Sequence, residues 1–184
     1  MGCYAYSSTE MAFYSLQRIV VIALLLSIHL LTYAEVLIGK VVGVSDGDTI
    51  TVLDATKTEH KVRLMGIDAP EKSQDFGNQS KRALSNYIYQ QEIAIEYKKL
   101  DKYKRKVGKV IFEGKDVCLQ MIELGMAWHY KEYEKEQSKI DSDLYSQAEL
   151  KARIERRGLW QTSNPIAPST FRSLAKRNGK RNSE

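Results

Sequence analysis

The chain has 184 residues, of which 43% are hydrophobic and 28% charged, with a formal net charge of +5. That length supports one compact domain plus an N-terminal extension and excludes two ordinary domains. The composition excludes a disordered chain, and the modest positive excess is compatible with a polyanionic partner without requiring one.

The first thirty-four residues differ from the rest. Arg18 precedes an almost uninterrupted apolar run from Ile19 to Leu31, and Thr32-Tyr33-Ala34 resembles a small-residue cleavage site. This order predicts a secretory signal peptide over residues 1–34, with a start at Met1 or Met11 and export to the exterior or a periplasm. The run is shorter than the roughly 20 apolar residues of a membrane-spanning helix. An uncleaved signal anchor is the alternative. Gly2 is no myristoylation site, because the sixth residue is Tyr6. Cleavage after Ala34 leaves Cys118 alone, so no internal disulfide is expected. Its apolar neighbours make it a small buried hydrophobe.

From Val36 to Val44 the chain is rich in valine and isoleucine, then turns at Ser45-Asp46-Gly47-Asp48. Thr49–Leu53 and His60–Ile67 alternate apolar and polar residues as second and third strands of a meander. Ala69-Pro70 ends the third, since proline donates no ladder bond. Phe76, Ala83, Leu84, Tyr87 and Ile88 share one face of a helix. Ile93–Tyr97 and Val107–Phe112 read as fourth and fifth strands around a basic loop, Lys98–Lys106. A short helix over Gly114–Leu124 stops at Gly125. A longer helix over Ser138–Arg157 carries Ile140, Leu144, Ala148 and Ala152 at four-residue spacing and stops at Gly158. Residues 169–184 read as a basic, flexible tail, frayed from Lys176 to Glu184. The pattern predicts an α+β, mainly β domain over residues 35–168: a five-stranded Greek-key barrel of the oligonucleotide-binding (OB) type with about three helices.

Three segments carry chemistry: Asp46-Gly47-Asp48-Thr49, Arg63 through Asp68-Ala69-Pro70-Glu71, and Asp101-Lys102-Tyr103-Lys104-Arg105. Each alone has a bland reading as a hairpin turn, a solvated strand face or a polar loop. In a meander, Asp48 and Asp68 fall near the ends of adjacent strands. Hard carboxylate oxygens suit calcium or magnesium, whereas the three histidines do not cluster as zinc ligands. Arg63 and Arg105 offer planar donor forks matched to phosphate.

Taken in order, these segments resemble the three active-site segments of staphylococcal nuclease-type (thermonuclease) enzymes, and the similarity runs from about Val36 to Trp160. The resemblance implies a calcium-dependent, sugar-non-specific endonuclease that hydrolyses DNA and RNA to 3′-phosphate products; with the signal segment it is expected to be secreted, and with no obligate protein partner inferred it is expected to be a monomer. It implies that Asp48, Asp68 and the Ala69 backbone carbonyl bind Ca2+, with Glu71 acting through water and orienting or deprotonating the nucleophile. Arg63 and Arg105 would stabilise the transition state. Lys102 and Tyr103 would hold the terminal phosphate, Tyr133 or Tyr130 would stack on a nucleotide, and Asp46 and Thr49 would support the site from behind. Two departures stand out: Ala69 replaces a threonine and Lys104 a glycine. The rival readings are an inactive OB-fold nucleic-acid-binding module and a membrane-tethered nuclease. Stacking without base-edge contacts predicts a preference for single-stranded or breathing nucleic acid.

Overall fold

The computed structural model describes residues 35–181, so the expected signal segment lies outside the described residues. The described residues form eight strands: β1 Glu35–Val44, β2 Thr49–Asp54, β3 Glu59–Leu64, β4 Ile67–Asp68, β5 Glu92–Leu100, β6 Lys106–Phe112, β7 Lys115–Asp116 and β8 Trp128–His129. Four α-helices accompany them among the described residues: α1 Gly77–Ile88, α2 Val117–Glu123, α3 Lys139–Ile154 and α4 Pro168–Arg181. Among the described residues, no helix is long and apolar enough to cross a membrane.

Strands β1, β2 and β3 form the expected antiparallel meander, with Val41 opposite Val52 and Ile50 opposite Val62. Strand β5 pairs with the free edge of β1, β6 pairs with β5, and β6 returns to β3 in parallel, Arg63 opposite Val107. The five strands thereby close on themselves in the order β3-β2-β1-β5-β6. Closure removes the exposed strand edges that would otherwise template aggregation. Register shifts at Val41/Gly43 and Tyr97/Lys99 supply the local bending that closure requires. The fold is the OB-type α+β barrel.

Alternation along the strands places Val41, Ile50, Val52, Val62, Leu64, Ile93, Ile95 and Val110 inside. Leu84 and Ile88 of α1, and Val117, Cys118, Met121 and Ile122 of α2, complete one continuous core. Full burial of each such side chain contributes roughly 1.5–3 kcal/mol. Cys118 is buried and unpaired, and desolvation pushes its thiol well above the usual range. It is a core residue.

Four elements depart from the sequence reading. The third strand stops at Leu64: Gly66 takes a φ of 74° and turns the chain, so that Ile67–Asp68 pairs with β8 instead. Lys98 to Leu100 belong to β5, which leaves only Asp101–Arg105 as loop. Phe76 caps α1 in a left-handed conformation (φ 64°) and packs with Trp128 and Trp160 in a second cluster, apart from the face that α1 lays on the barrel. Helix α3 ends at Ile154 and buries Tyr145, Glu149 and Ala152, whereas Ile140 and Leu144 are exposed. Steps of four residues drift by about 40° each on a helix of 3.6 residues per turn, so the string from Ile140 to Ala152 never shared one face.

Asp116 locks α2 to α3. Its Oδ1 accepts from the backbone N–H groups of Cys118 (2.9 Å) and Leu119 (3.1 Å), and its Oδ2 accepts from the buried Tyr145 hydroxyl (2.8 Å). Asp116→Ala removes a helix cap worth about 1 kcal/mol and strands a buried hydroxyl at about 1–3 kcal/mol. The expected loss is therefore roughly 2–4 kcal/mol, read as a lowered midpoint in urea with an unchanged slope. A loss below about 1 kcal/mol would show that water replaces the carboxylate.

Candidate active site

The cleft forms where β2, β3, β4 and the β5–β6 turn meet, and it encloses about 650 Å³. Asp46, Asp48, Thr49, Arg63, Asp68, Ala69, Glu71, Lys102, Tyr103, Arg105, Tyr130 and Tyr133 all line it. Every residue expected from the sequence is thus brought to one place.

The turn before β2 sets the first carboxylate. Asp46 Oδ1 accepts the Asp48 N–H at 3.0 Å, and the Thr49 hydroxyl donates to Asp48 Oδ1 at 3.0 Å. Gly47 is required by close approach, because a Cβ there would lie 1.8 Å from Ser80 Oγ on α1. Across the ladder the Leu64 N–H donates to the Asp48 carbonyl (2.8 Å), which seats Asp48 beside the end of β3. The Ala69 N–H donates to Asp48 Oδ2 at 2.7 Å, linking the first segment to the second.

Arg63 stands between the two buried carboxylates. Its Nη2 donates to Asp68 Oδ1 at 2.9 Å. Its Nη1 lies 2.5 Å from Asp48 Oδ2 in an ion pair that lacks hydrogen-bonding geometry. Burial pushes the Asp48 carboxyl up to about 7, against the opposing pull of Arg63, and it also raises Asp68 against its arginine partners. The site gathers more negative charge than Arg63 alone satisfies.

Arg105 is aimed by its own turn. Asp101 accepts from Arg105 Nε at 2.7 Å and from the Tyr103 and Arg105 backbone N–H groups at 2.8 and 2.9 Å. Arg105 Nη1 reaches Thr49 Oγ1 at 3.3 Å. Lys104 adopts a φ of 62°, the left-handed conformation that glycine favours, so the turn keeps its shape without glycine. Lys102 and Arg105 both lie over the exposed Tyr103 ring, at 5.1 and 5.4 Å from its centroid. Tyr130 and Tyr133, also in the lining, lie with centroids 4.8 Å and ring planes 52° apart, and Lys99, paired with Glu136, sits 5.9 Å from Tyr133. Both tyrosines reach the cleft as a pair.

Arg172 was missed. The expected tail is helical through Arg181, and Arg172 of α4 enters the cleft. Its Nη1 donates to Glu71 Oε1 at 2.8 Å and Asp68 Oδ1 at 3.2 Å, and its Nη2 to Asp68 Oδ2 at 3.0 Å. The available signal was Pro168 at a helix start followed by Phe171, Leu174 and Ala175 at helical spacing.

Hard-oxygen donors, two of them buried carboxylates, fit a divalent cation of the calcium or magnesium type. A guanidinium from a distant segment already serves as a cation against Asp68 and Glu71. Among the described residues, no three acidic, histidine or cysteine side chains are gathered into a ready-made metal cage.

A closed OB-type barrel with acids and arginines converging in one cleft defines a phosphodiester-processing site. Residues 61–162 match the family model described as staphylococcal nuclease homologue. The chain is 42% identical over 139 residues to an uncharacterized endonuclease of Haemophilus influenzae, covering 76% of this chain and 75% of that one. It is 37% identical over 147 residues to a micrococcal nuclease of Shigella flexneri, covering 75% and 82%. An uncharacterized endonuclease of Escherichia coli O157:H7 is 35% identical over 135 residues, covering 73% and 84%. The chain belongs to the staphylococcal nuclease family and is a nuclease, hence a hydrolase.

Proposed function

We propose that the protein is an exported, calcium-dependent endonuclease that cuts DNA and RNA without sugar specificity and leaves 3′-phosphate ends. The observation that carries this reading is the convergence of Asp48, Asp68, Glu71, Arg63 and Arg105 in a single cleft. Asp48, Asp68 and the Ala69 carbonyl are the groups to hold calcium, with Glu71 acting through water. When bound, calcium supplies positive charge against the scissile phosphate.

Glu71, at the solvent-facing rim, accepts the proton of the attacking water. Arg63 and Arg105 donate to the equatorial oxygens as they gain charge, which lowers the transition state more than the ground state. One of the two donates a hydrogen bond to the departing 5′-oxygen, which takes its proton from solvent. Asp101 holds the Arg105 fork so that little reorganisation is needed at that moment. Lys102 and Tyr103 hold the terminal phosphate, and one ring of the tilted Tyr130–Tyr133 pair offers its face to a base. Such contacts track backbone and ring faces rather than base edges, which favours single-stranded or breathing substrates. Export follows from the signal pattern over residues 1–34, and one copy of the chain contains all of these residues.

The test is cleavage of single-stranded DNA and RNA with calcium, magnesium or chelator, with product ends read by mass. Calcium-dependent cutting to 3′-phosphate products, weakening as salt rises, is expected. DNA binding without cleavage in any divalent cation would replace this reading with the binding-module one. A mature protein beginning near residue 35 would support export, and an intact N-terminus in the membrane fraction would favour the anchor.

A further inference from the structure

Helix α4 is fixed to the domain by little besides its entry into the cleft. Pro168 is buried and Phe171 half-buried, but the following residues through Asn178 are exposed, Leu174 among them. A thin apolar contact of this kind leaves a surface helix weakly held, because helical stability in proteins comes mostly from a packed face. The polar ties are specific. Arg172 bridges Asp68 and Glu71, and Gln74 accepts the Glu71 N–H (2.8 Å) while donating to the Ile166 carbonyl (3.1 Å) just before α4. Both oxygens of Asp68 are thus taken by guanidinium N–H groups, Oδ1 by Arg63 and Arg172 and Oδ2 by Arg172. The Arg172 side chain remains 42% exposed, so water reaches the ion pairs and the helix has a route outward.

We propose that α4 is a latch: Arg172 neutralises Asp68 and Glu71 as a built-in cation, and a divalent cation entering the site displaces Arg172 and frees the helix. The proposal rests on the reading of Asp48 and Asp68 as metal ligands. A guanidinium across both Asp68 oxygens and a metal ion on the same carboxylate exclude one another. Each therefore weakens the other by the same factor, as linkage requires. The docked helix also holds the Glu71 carboxylate in an ion pair, so the resting enzyme has its general base engaged. Latching keeps the nuclease quiet where free calcium is scarce and releases it where calcium is plentiful.

Calcium binding by calorimetry and amide exchange across α4, measured on the whole protein and on Arg172→Gln, test this without reference to cleavage. Arg172→Gln should bind calcium on the order of tenfold more tightly, a coupling of ordinary size. Arg177→Gln removes the same charge from the same helix and should leave calcium affinity within about twofold, which separates the ion pair from the general field of the helix. In the native protein, calcium should accelerate exchange of the α4 amides, and in Arg172→Gln they should exchange fast from the outset. Unchanged or weaker calcium binding by Arg172→Gln, or slower α4 exchange on adding calcium, overturns the latch while leaving the metal site intact. Failure of both proteins to bind calcium would overturn the metal reading and the latch together.

Discussion

Arg63→Ala should lose cleavage by about 10²–10³ and, without metal, should unfold more easily by roughly 3 kcal/mol. Both effects come from the position of one guanidinium between two buried carboxylates. Removing one partner of a buried ion pair costs about 3–5 kcal/mol, because the other charge stays uncompensated. Asp68 keeps Arg172, so the penalty falls mainly on Asp48, whose proton is already favoured by burial. The lower end of that range is therefore expected. Calcium at saturation should return part of the stability, since a ligand at 100 times its Kd adds about 2.7 kcal/mol. It should not return the activity, because the donor fork for the transition state is gone. Urea unfolding with and without calcium, beside single-turnover cleavage, separates the two roles. Full recovery of cleavage at high calcium would reduce Arg63 to a holder of carboxylates.

The parts of this site that were legible in the sequence are those built from near neighbours in the chain. Asp48 and Arg63 come together through a meander whose register, Thr49 opposite Arg63, follows from two alternating stretches and one turn. Arg105 is aimed by Asp101, four residues away, so the motif contained its own geometry. Legibility failed where a distant partner or a backbone rotation decided the outcome. The break between Leu64 and Ile67 depends on Gly66 at positive φ and on β8, more than sixty residues further on in the chain. The rotation of α3 is set by Tyr145 reaching Asp116 rather than by its own apolar string. Arg172 meets Asp68 across 104 positions, and a polar, basic segment gives no local sign that it will be ordered by an ion pair at a remote cleft.

Glu71→Gln is the sharpest separation of proton transfer from cation holding. The substitution keeps size and hydrogen-bonding reach, and the Glu71 backbone contact with Gln74 does not involve the altered atoms. The amide oxygen cannot take a proton from water, so the rate of the chemical step should fall by about 10²–10⁴, the range for loss of a general base. Removing one carboxylate from Arg172 also weakens the hold of α4, since the 2.8 Å pair with Glu71 is one of its few polar ties. Calcium affinity should therefore hold steady or rise while turnover collapses, and these opposite movements are the signature to seek. Pre-steady-state cleavage of a short single-stranded oligonucleotide at saturating calcium reads the first quantity, and calorimetry reads the second. If turnover instead falls in step with calcium affinity and extra calcium restores it, Glu71 serves the cation and the proton must leave by another route. Bulk hydroxide would then be the acceptor, and the variant's rate would climb tenfold per pH unit.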